Sequence, residues 1–444
     1  MSLKIRLIAI MLLLCVSVLR AERIDMQKAG ANITGSKLNT VLINTTINKL
    51  NANGGGTLFF PSGLYLTGAI RLKSNITIEL EAGATLLFSD NFDDYLPFVE
   101  MRHEGILMKS FNPLIYAADA EHITIKGEGK IDGQGKKWWD EFFRVTTNLK
   151  NKGKQDINKY QLMWDNANDV KALYAETNED YIPSLQRRFF RPPLIQLIRC
   201  KNVKIEGITL VNSPFWTVNP EFSENVTIDK ITINNPPSPN TDGINPESCR
   251  YVHISNCHIS VGDDCITLKS GRDLQGRKLN GPNENITITN CTMLSGHGGV
   301  VIGSEMSGSV RKVVISNCVF DGTDRGIRIK STRGRGGVVE DIQVNNIVMR
   351  NIKEEAIIMD LYYSKMPVEP MSERTPVFRN INISNMTGTD VRIPIRIRGL
   401  EESPITDIAL TNINLQAKEE CQFQNYQRIR LNEVFVNGKK ISLE

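Results

Sequence analysis

The chain has 444 residues, 41% of them apolar and 23% charged, a balance that fits a folded protein and excludes a collagen-like or disordered composition. Its formal charge of +4 falls to +1 once residues 1–21 are set aside, because that stretch holds Lys4, Arg6 and Arg20 and no acid. A protein-wide positive field for nucleic acid is thereby excluded, and any attraction for an acidic partner must be local.

In chain order, the first element reads as an address. Lys4 and Arg6 precede an apolar run over 7–19, and Ala21 is a suitable last residue before cleavage. The run is too short to span a bilayer comfortably and no second one follows, so a signal peptide is expected, with a secreted or periplasmic product and no membrane span. Cys15 follows the bulky Leu14, which makes a poor lipidation site. The remaining 22–444 are expected to form one domain. Within it, Val41, Leu42, Ile47 and Leu50 have helical spacing over 39–50 and predict an N-terminal capping helix, which Gly54-Gly55-Gly56 ends.

Short units then recur: NVKIEGITL from Asn202, NVTIDKITI from Asn225, YVHISNCHI from Tyr251, NITITNCTM from Asn285, and four more starting at Lys312, Asp341, Asn380 and Asp407. Each alternates apolar and polar residues and is rich in β-branched side chains, the pattern of a strand with one buried face. Their second residues, Val203, Val226, Val252, Ile286, Val313, Ile342, Ile381 and Ile408, are 23 to 39 residues apart. A period in the twenties with occasional insertions predicts an all-β solenoid, a right-handed parallel β-helix whose insertions become loops. Residues 136–195 break the rhythm, are polar and basic, and carry Trp138, Trp139 and Trp164; they are expected to be an insertion on the solenoid wall whose tryptophans can stack on sugar rings.

Without Cys15, seven cysteines remain, an odd number with no C-x-x-C pair, which argues against a disulfide scaffold or a zinc site. Ser255-Asn256-Cys257, Thr289-Asn290-Cys291 and Ser316-Asn317-Cys318 share one context and predict inward thiols stacked in the repeat core.

Four segments fall on consecutive coils: Asn240-Thr241-Asp242-Gly243, Gly262-Asp263-Asp264, Gly296-His297-Gly298 and Arg328-Ile329-Lys330. Neighbouring coils lie about 4.8 Å apart, so Asp242, Asp263 and Asp264 can converge on one wall. Carboxylates that close repel one another, and at least one is driven toward its protonated form. A protonated acid beside ionised carboxylates is what glycoside hydrolysis needs. Arg328 and Lys330, two apart on a strand, point to the same side and suit a substrate that carries its own carboxylate. Taken singly, each segment has an ordinary structural reading as a turn or a solvated face; order and registration make them a constellation.

In this order on a solenoid, the four segments resemble the polygalacturonase family, glycoside hydrolase family 28, and the likeness runs from Gly54 to near Ala417. The resemblance implies inverting hydrolysis of α-galacturonosyl linkages in pectin of the homogalacturonan type. It implies Asp263 as general acid, Asp242 with Asp264 activating water, Arg328 and Lys330 holding the substrate carboxylate, His297 in support, and Asn240 orienting its neighbours or binding sugar. No cofactor or metal is implied. The expected partner is an acidic polysaccharide or oligogalacturonide, and the chain is expected to be a monomer. The runs that follow His297 and Lys330, and the segment 104–117, look more like the exo-acting and plant-like branches, so exo action is expected, with the 136–195 insertion closing one end of the cleft. Three alternatives stay open: a rhamnogalacturonan or other galacturonide hydrolase, a calcium-dependent pectate lyase using the aspartates as ligands, and a non-enzymatic polysaccharide-binding solenoid.

Overall fold

The computed structural model describes residues 22–151 and 158–443, so the expected signal peptide lies outside the described residues. The eight repeat positions named above pair in register: Val203 with Val226, Val226 with Val252, Val252 with Ile286, Ile286 with Val313, Val313 with Ile342, Ile342 with Ile381, and Ile381 with Ile408. These seven pairings are all parallel. Stacked strands bury these aliphatics as a continuous ladder, and the architecture is the right-handed parallel β-helix that the repeats predicted.

The same local chemistry explains the corners. The residue that opens each unit is left-handed, with φ between 50° and 60° at Asn202, Asn225, Tyr251, Asn285, Lys312, Asp341, Asn380 and Asp407. Asn and Asp tolerate this conformation better than most residues, which is why they recur there. A second left-handed corner separates the two strands of a unit at Asn256, Asn290, Asn317, Asn346, Asn385 and Asn412. The cysteine after three of these corners turns inward. Cys257, Cys291 and Cys318 are buried, and the seven cysteines among the described residues are free thiols.

A third run of strands completes each coil and carries the functional face. Val218, Ile244, Ile266, Val300, Ile327 and Ile357 stack inward along it. Because side chains alternate, residues 267, 269, 328 and 330 point outward.

The N-terminal end is covered by the helix Thr40–Ala52. Its buried face is Ile43, Thr46, Ile47 and Leu50. Val41, expected on that face, is 80% exposed, because i, i+3, i+4, i+7 spacing runs from Ile43 and not from Val41. At the other end a short antiparallel strand, Lys439–Lys440, folds back on the last long strand.

The break in the rhythm at 136–195 is helical: Lys136–Lys150, Lys159–Ala167, Val170–Ala175 and Ile182–Arg187. Asn158 starts the second of these with a capping box shared with Gln161, and Asp169 caps the third. Trp164, Leu173, Tyr181, Leu185 and Phe190 bury a small core of their own against Met101, Ile106 and Met108 of an antiparallel hairpin. Two of the three tryptophans expected to be available to sugar are therefore structural. Trp138 is fully buried with its ring 4.3 Å from Phe92, and Trp164 is buried 5.0 Å from Phe190. Trp139 alone among them is partly exposed. Among the described residues no helix is long and apolar enough to cross a membrane.

Candidate active site

The outward positions of the third strand run are where the four segments meet. Asp242 and Asp264 lie in the turns that lead into two inward isoleucines of the ladder, Ile244 and Ile266, and so occupy equivalent positions on adjacent coils. Backbone bonds carry the ladder through the turns: Thr217 N donates to Asp242 O at 2.9 Å, Gly243 N to Asp264 O at 3.0 Å, and His297 N to Asp263 O at 2.8 Å. The approach is close enough that a Cβ on Gly243 would lie 2.3 Å from the Cys265 carbonyl oxygen, so no other residue fits after Asp242.

Asp242, Asp263 and Asp264 present carboxylate oxygens within 4.8 Å of one another. Lys330 Nζ donates to Asp264 Oδ2 at 2.8 Å and Arg328 Nη1 to Asp264 Oδ1 at 3.4 Å. Nδ1 of His297 lies 3.0 Å from Asp263 Oδ1. Asn245 Nδ2 donates to Asp242 Oδ2 at 2.9 Å. Asn240 lines the same cavity, and its Oδ1 accepts from Nη2 of the buried Arg191 at 2.8 Å. The seven residues singled out in the sequence thus lie around one point, although in this state Arg328 and Lys330 are engaged with Asp264.

The three carboxyls are not equivalent. Burial pushes the Asp242 carboxyl well above the usual carboxylate range, and the negative charge of Asp263 adds to that. Burial acts on Asp264 in the same direction, but Lys330, Arg328 and Lys269 outweigh it and hold that carboxyl down at about 2. Asp263 is the accessible member, with a side chain 20% exposed against 2% for Asp264. Its carboxylate, bonded to Nδ1, raises the His297 imidazole above its ordinary value despite partial burial. The donor set is also one that a divalent cation takes, but Asp264 already has two cationic partners, which compete with a metal for its oxygens.

On one side of the aspartates lies a cavity of 360 Å³. Its floor carries Lys269, Arg272 and Glu305, none of which was picked out in the sequence. Lys269 Nζ donates to Glu305 Oε2 at 2.7 Å, and Arg272 Nη1 to Glu305 Oε1 at 3.1 Å. Burial alone would disfavour the Lys269 ammonium, but Glu305, Asp242 and Asp264 offset it and hold the charge in place. Lys269 had a signal: Ile266-Thr267-Leu268-Lys269 occupies the strand positions that Ile327-Arg328-Ile329-Lys330 occupies two coils later. The far wall comes from the helical insertion, through Asp180, Tyr181 and Ser184. Asp180 is anchored there by Arg335 at 3.0 Å and Arg272 at 3.2 Å. Residues joined over such distances in sequence leave no local signature.

On the other side, past Asp263 and His297, the surface opens into a depression of 680 Å³ between the Lys136–Lys150 helix and the loop Pro236-Pro237-Ser238-Pro239.

Residues 185–433 match the family model described as Glycosyl hydrolases family 28. A probable polygalacturonase of Vitis vinifera is 31% identical over 407 residues, covering 89% of this chain and 74% of its own. An endo-polygalacturonase of Pectobacterium carotovorum subsp. carotovorum is 27% identical over 417 residues, with 91% and 92% covered. Among solved structures, a hyperthermoactive exopolygalacturonase from Thermotoga maritima superposes with a TM-score of 0.83 at 35% identity, covering 95% of this chain and 93% of that one. Solenoid, carboxylate cluster and likeness agree, and the chain is a glycoside hydrolase that belongs to glycosyl hydrolases family 28.

Proposed function

We propose that this chain hydrolyses galacturonan from a chain end, as an exo-polygalacturonase. The observation that carries the exo reading is the closure of the charged cavity by Asp180, Tyr181 and Ser184 of the insertion. A wall beyond the scissile bond admits a chain end and stops a polymer that continues through. Lys330, Arg328 and Lys269 supply the positive charge that a galacturonate carboxylate seeks.

Asp263, the accessible carboxyl, is placed to protonate the leaving oxygen, while Asp242 and Asp264 hold the attacking water. Asp264 stays ionised under its cations and Asp242 takes up the proton that the cluster retains. Passing that proton across the cluster to Asp263 leaves Asp242 as the base and Asp263 as the acid. Most inverting glycosidases separate acid and base by roughly 6.5–9.5 Å so that water fits between them. The oxygens here approach within 4.8 Å. A water held by Asp242 and Asp264 side by side needs no such gap, and inversion remains the expected stereochemistry. Proton NMR of the anomer first released is the check; retention of configuration would overturn this placement of the water.

The exo reading is tested by following viscosity and reducing ends together on polygalacturonate. Early mono- or disaccharide with little loss of viscosity is expected, and a steep viscosity drop with a ladder of oligomers would reverse it. Replacing 145–185 with a short Gly/Ser linker should shift the wild-type profile toward internal cutting. Product absorbing in the near ultraviolet, together with loss of activity in EDTA, would replace hydrolysis by calcium-dependent elimination. Oligomers cut only at galacturonate–rhamnose bonds would move the substrate to rhamnogalacturonan. Residues 1–21 are read as an export signal and 22–444 as one monomeric domain; the mass of the exported protein, expected to begin at Glu22, and its sedimentation test both.

A further inference from the structure

The two sides of the aspartates differ in chemistry, and the open side points to a preference that the family alone does not supply. We propose that the depression beyond Asp263 and His297 is a subsite for an uncharged sugar unit, a galacturonosyl residue whose carboxyl is masked as its methyl ester. The inference rests on the exo reading above.

The walls of this depression are Trp139 and Phe143 from the insertion helix and Pro236, Pro237 and Pro239 from the facing loop. Phe143 is 52% exposed, the one exposed phenylalanine among the described residues, with its ring 5.5 Å from that of Phe142. The Trp139 indole is held in place, its Nε1 donating to the Ser213 carbonyl at 3.1 Å. Rigid aromatic and proline surfaces of this kind suit the C–H face of a sugar and cost little conformational entropy on binding.

This side carries fewer charged side chains than the closed cavity and more apolar ones. The charged side chains that line the depression, among the described residues, are Lys136, Asp140, Asp263 and His297. Lys136 Nζ is 2.7 Å from Asp140, and His297 Nδ1 is 3.0 Å from Asp263, so each cation already faces an acid. A free carboxylate arriving here meets two other carboxylates and no buried cation, whereas the closed cavity holds three buried cations, Lys269, Arg272 and Lys330, set against Glu305, Asp180 and Asp264. A second depression of 630 Å³ shares Trp139, so the groove continues past the indole and has room for more of the chain.

The test uses digalacturonic acid and its two monomethyl esters, one esterified on each unit. The expected result is asymmetric: one ester is cleaved with a kcat/KM within about threefold of the free acid, and the other loses at least ~10-fold through the lost charge-assisted contact. Two equally poor esters, or two equally good ones, overturn the proposal. Trp139→Ala and Phe143→Ala should raise KM for the tolerated ester by ~10-fold, the scale of one aromatic contact, with a smaller change in kcat. Phe143→Ala guards against misfolding, because that ring is already exposed. An unchanged KM in both variants would remove the platform. If free digalacturonate is not cleaved at all, it is the exo reading that fails. The platform is then decided by calorimetry of the fully methyl-esterified trimer with wild type and Phe143→Ala, where equal affinities overturn it.

Discussion

The closed and open sides of the cleft are built by opposite means. The closed side buries charge: Lys269, Glu305 and Arg272 are almost wholly out of water, tied to one another and to Asp180 of the insertion. The open side exposes apolar surface, with Phe143 and the 236–239 loop facing solvent. Buried ions keep their place only when fully paired, so the cations of the closed side are held in fixed positions by Glu305 and Asp180. The open side offers aromatic and proline surface in place of ion pairs. The aspartates sit at the boundary, where Asp263 faces the open side and Asp242 and Asp264 lie buried beneath.

The largest expected effect breaks that boundary. Asp263→Asn, Asp242→Asn and Asp264→Asn should each lower kcat by ~100-fold or more, the scale of lost acid–base catalysis. Circular dichroism should show the fold retained, and near-wild-type turnover in Asp263→Asn would remove its role as acid.

Next in size, Lys330→Ala and Arg328→Ala should lower kcat/KM on free galacturonan by ~10- to 100-fold, since each removes a charge-assisted contact. On galacturonan whose carboxylates are reduced to neutral galactose units, the wild type should lose most of its advantage over these variants. Equal cleavage of neutral and acidic polymers by the wild type would refute the carboxylate-binding role.

Smaller effects concern stability and separate the two buried aspartates. Asp264 is held at about 2, below its unfolded value near 3.8, so it stabilises the fold above that unfolded value. That contribution, on the order of 2 kcal/mol, is lost as pH falls from about 4 through 2. Lys330→Ala should flatten this acid limb of a Tm-against-pH curve, and an unchanged limb would mean that the pair is not formed. Asp242 is raised by burial, so the opposite sign applies. The folded state binds the extra proton, and stability falls as pH rises above the ordinary carboxylate range. Asp242→Asn should therefore keep or raise Tm at pH 7 while abolishing activity, whereas a large drop in Tm would show that Asp242 is a structural anion.

Much of this was legible in the chain because the β-helix repeats local rules. Alternation with period two identified the inward ladder from Val203 to Ile408. Since adjacent coils must stack, equal strand positions imply spatial neighbours, which is why Asp242, Asp263, Asp264, His297, Arg328 and Lys330 could be brought together on spacing alone. Lys269 was within reach of the same argument.

What the tertiary structure alone decided is everything that crosses between the solenoid and its insertion. Asp180 reaches the cavity because Arg272 and Arg335, distant in sequence, hold it there. Trp138 and Trp164 were drawn into cores that no period in the sequence announces, leaving Trp139 as the accessible indole. The opposite shifts of Asp242 and Asp264 follow from burial and from which charges reach which oxygen. Repeat stacking is written in nearest-neighbour terms that a sequence displays, whereas docking of an insertion and desolvation of a charge depend on the whole assembled surface.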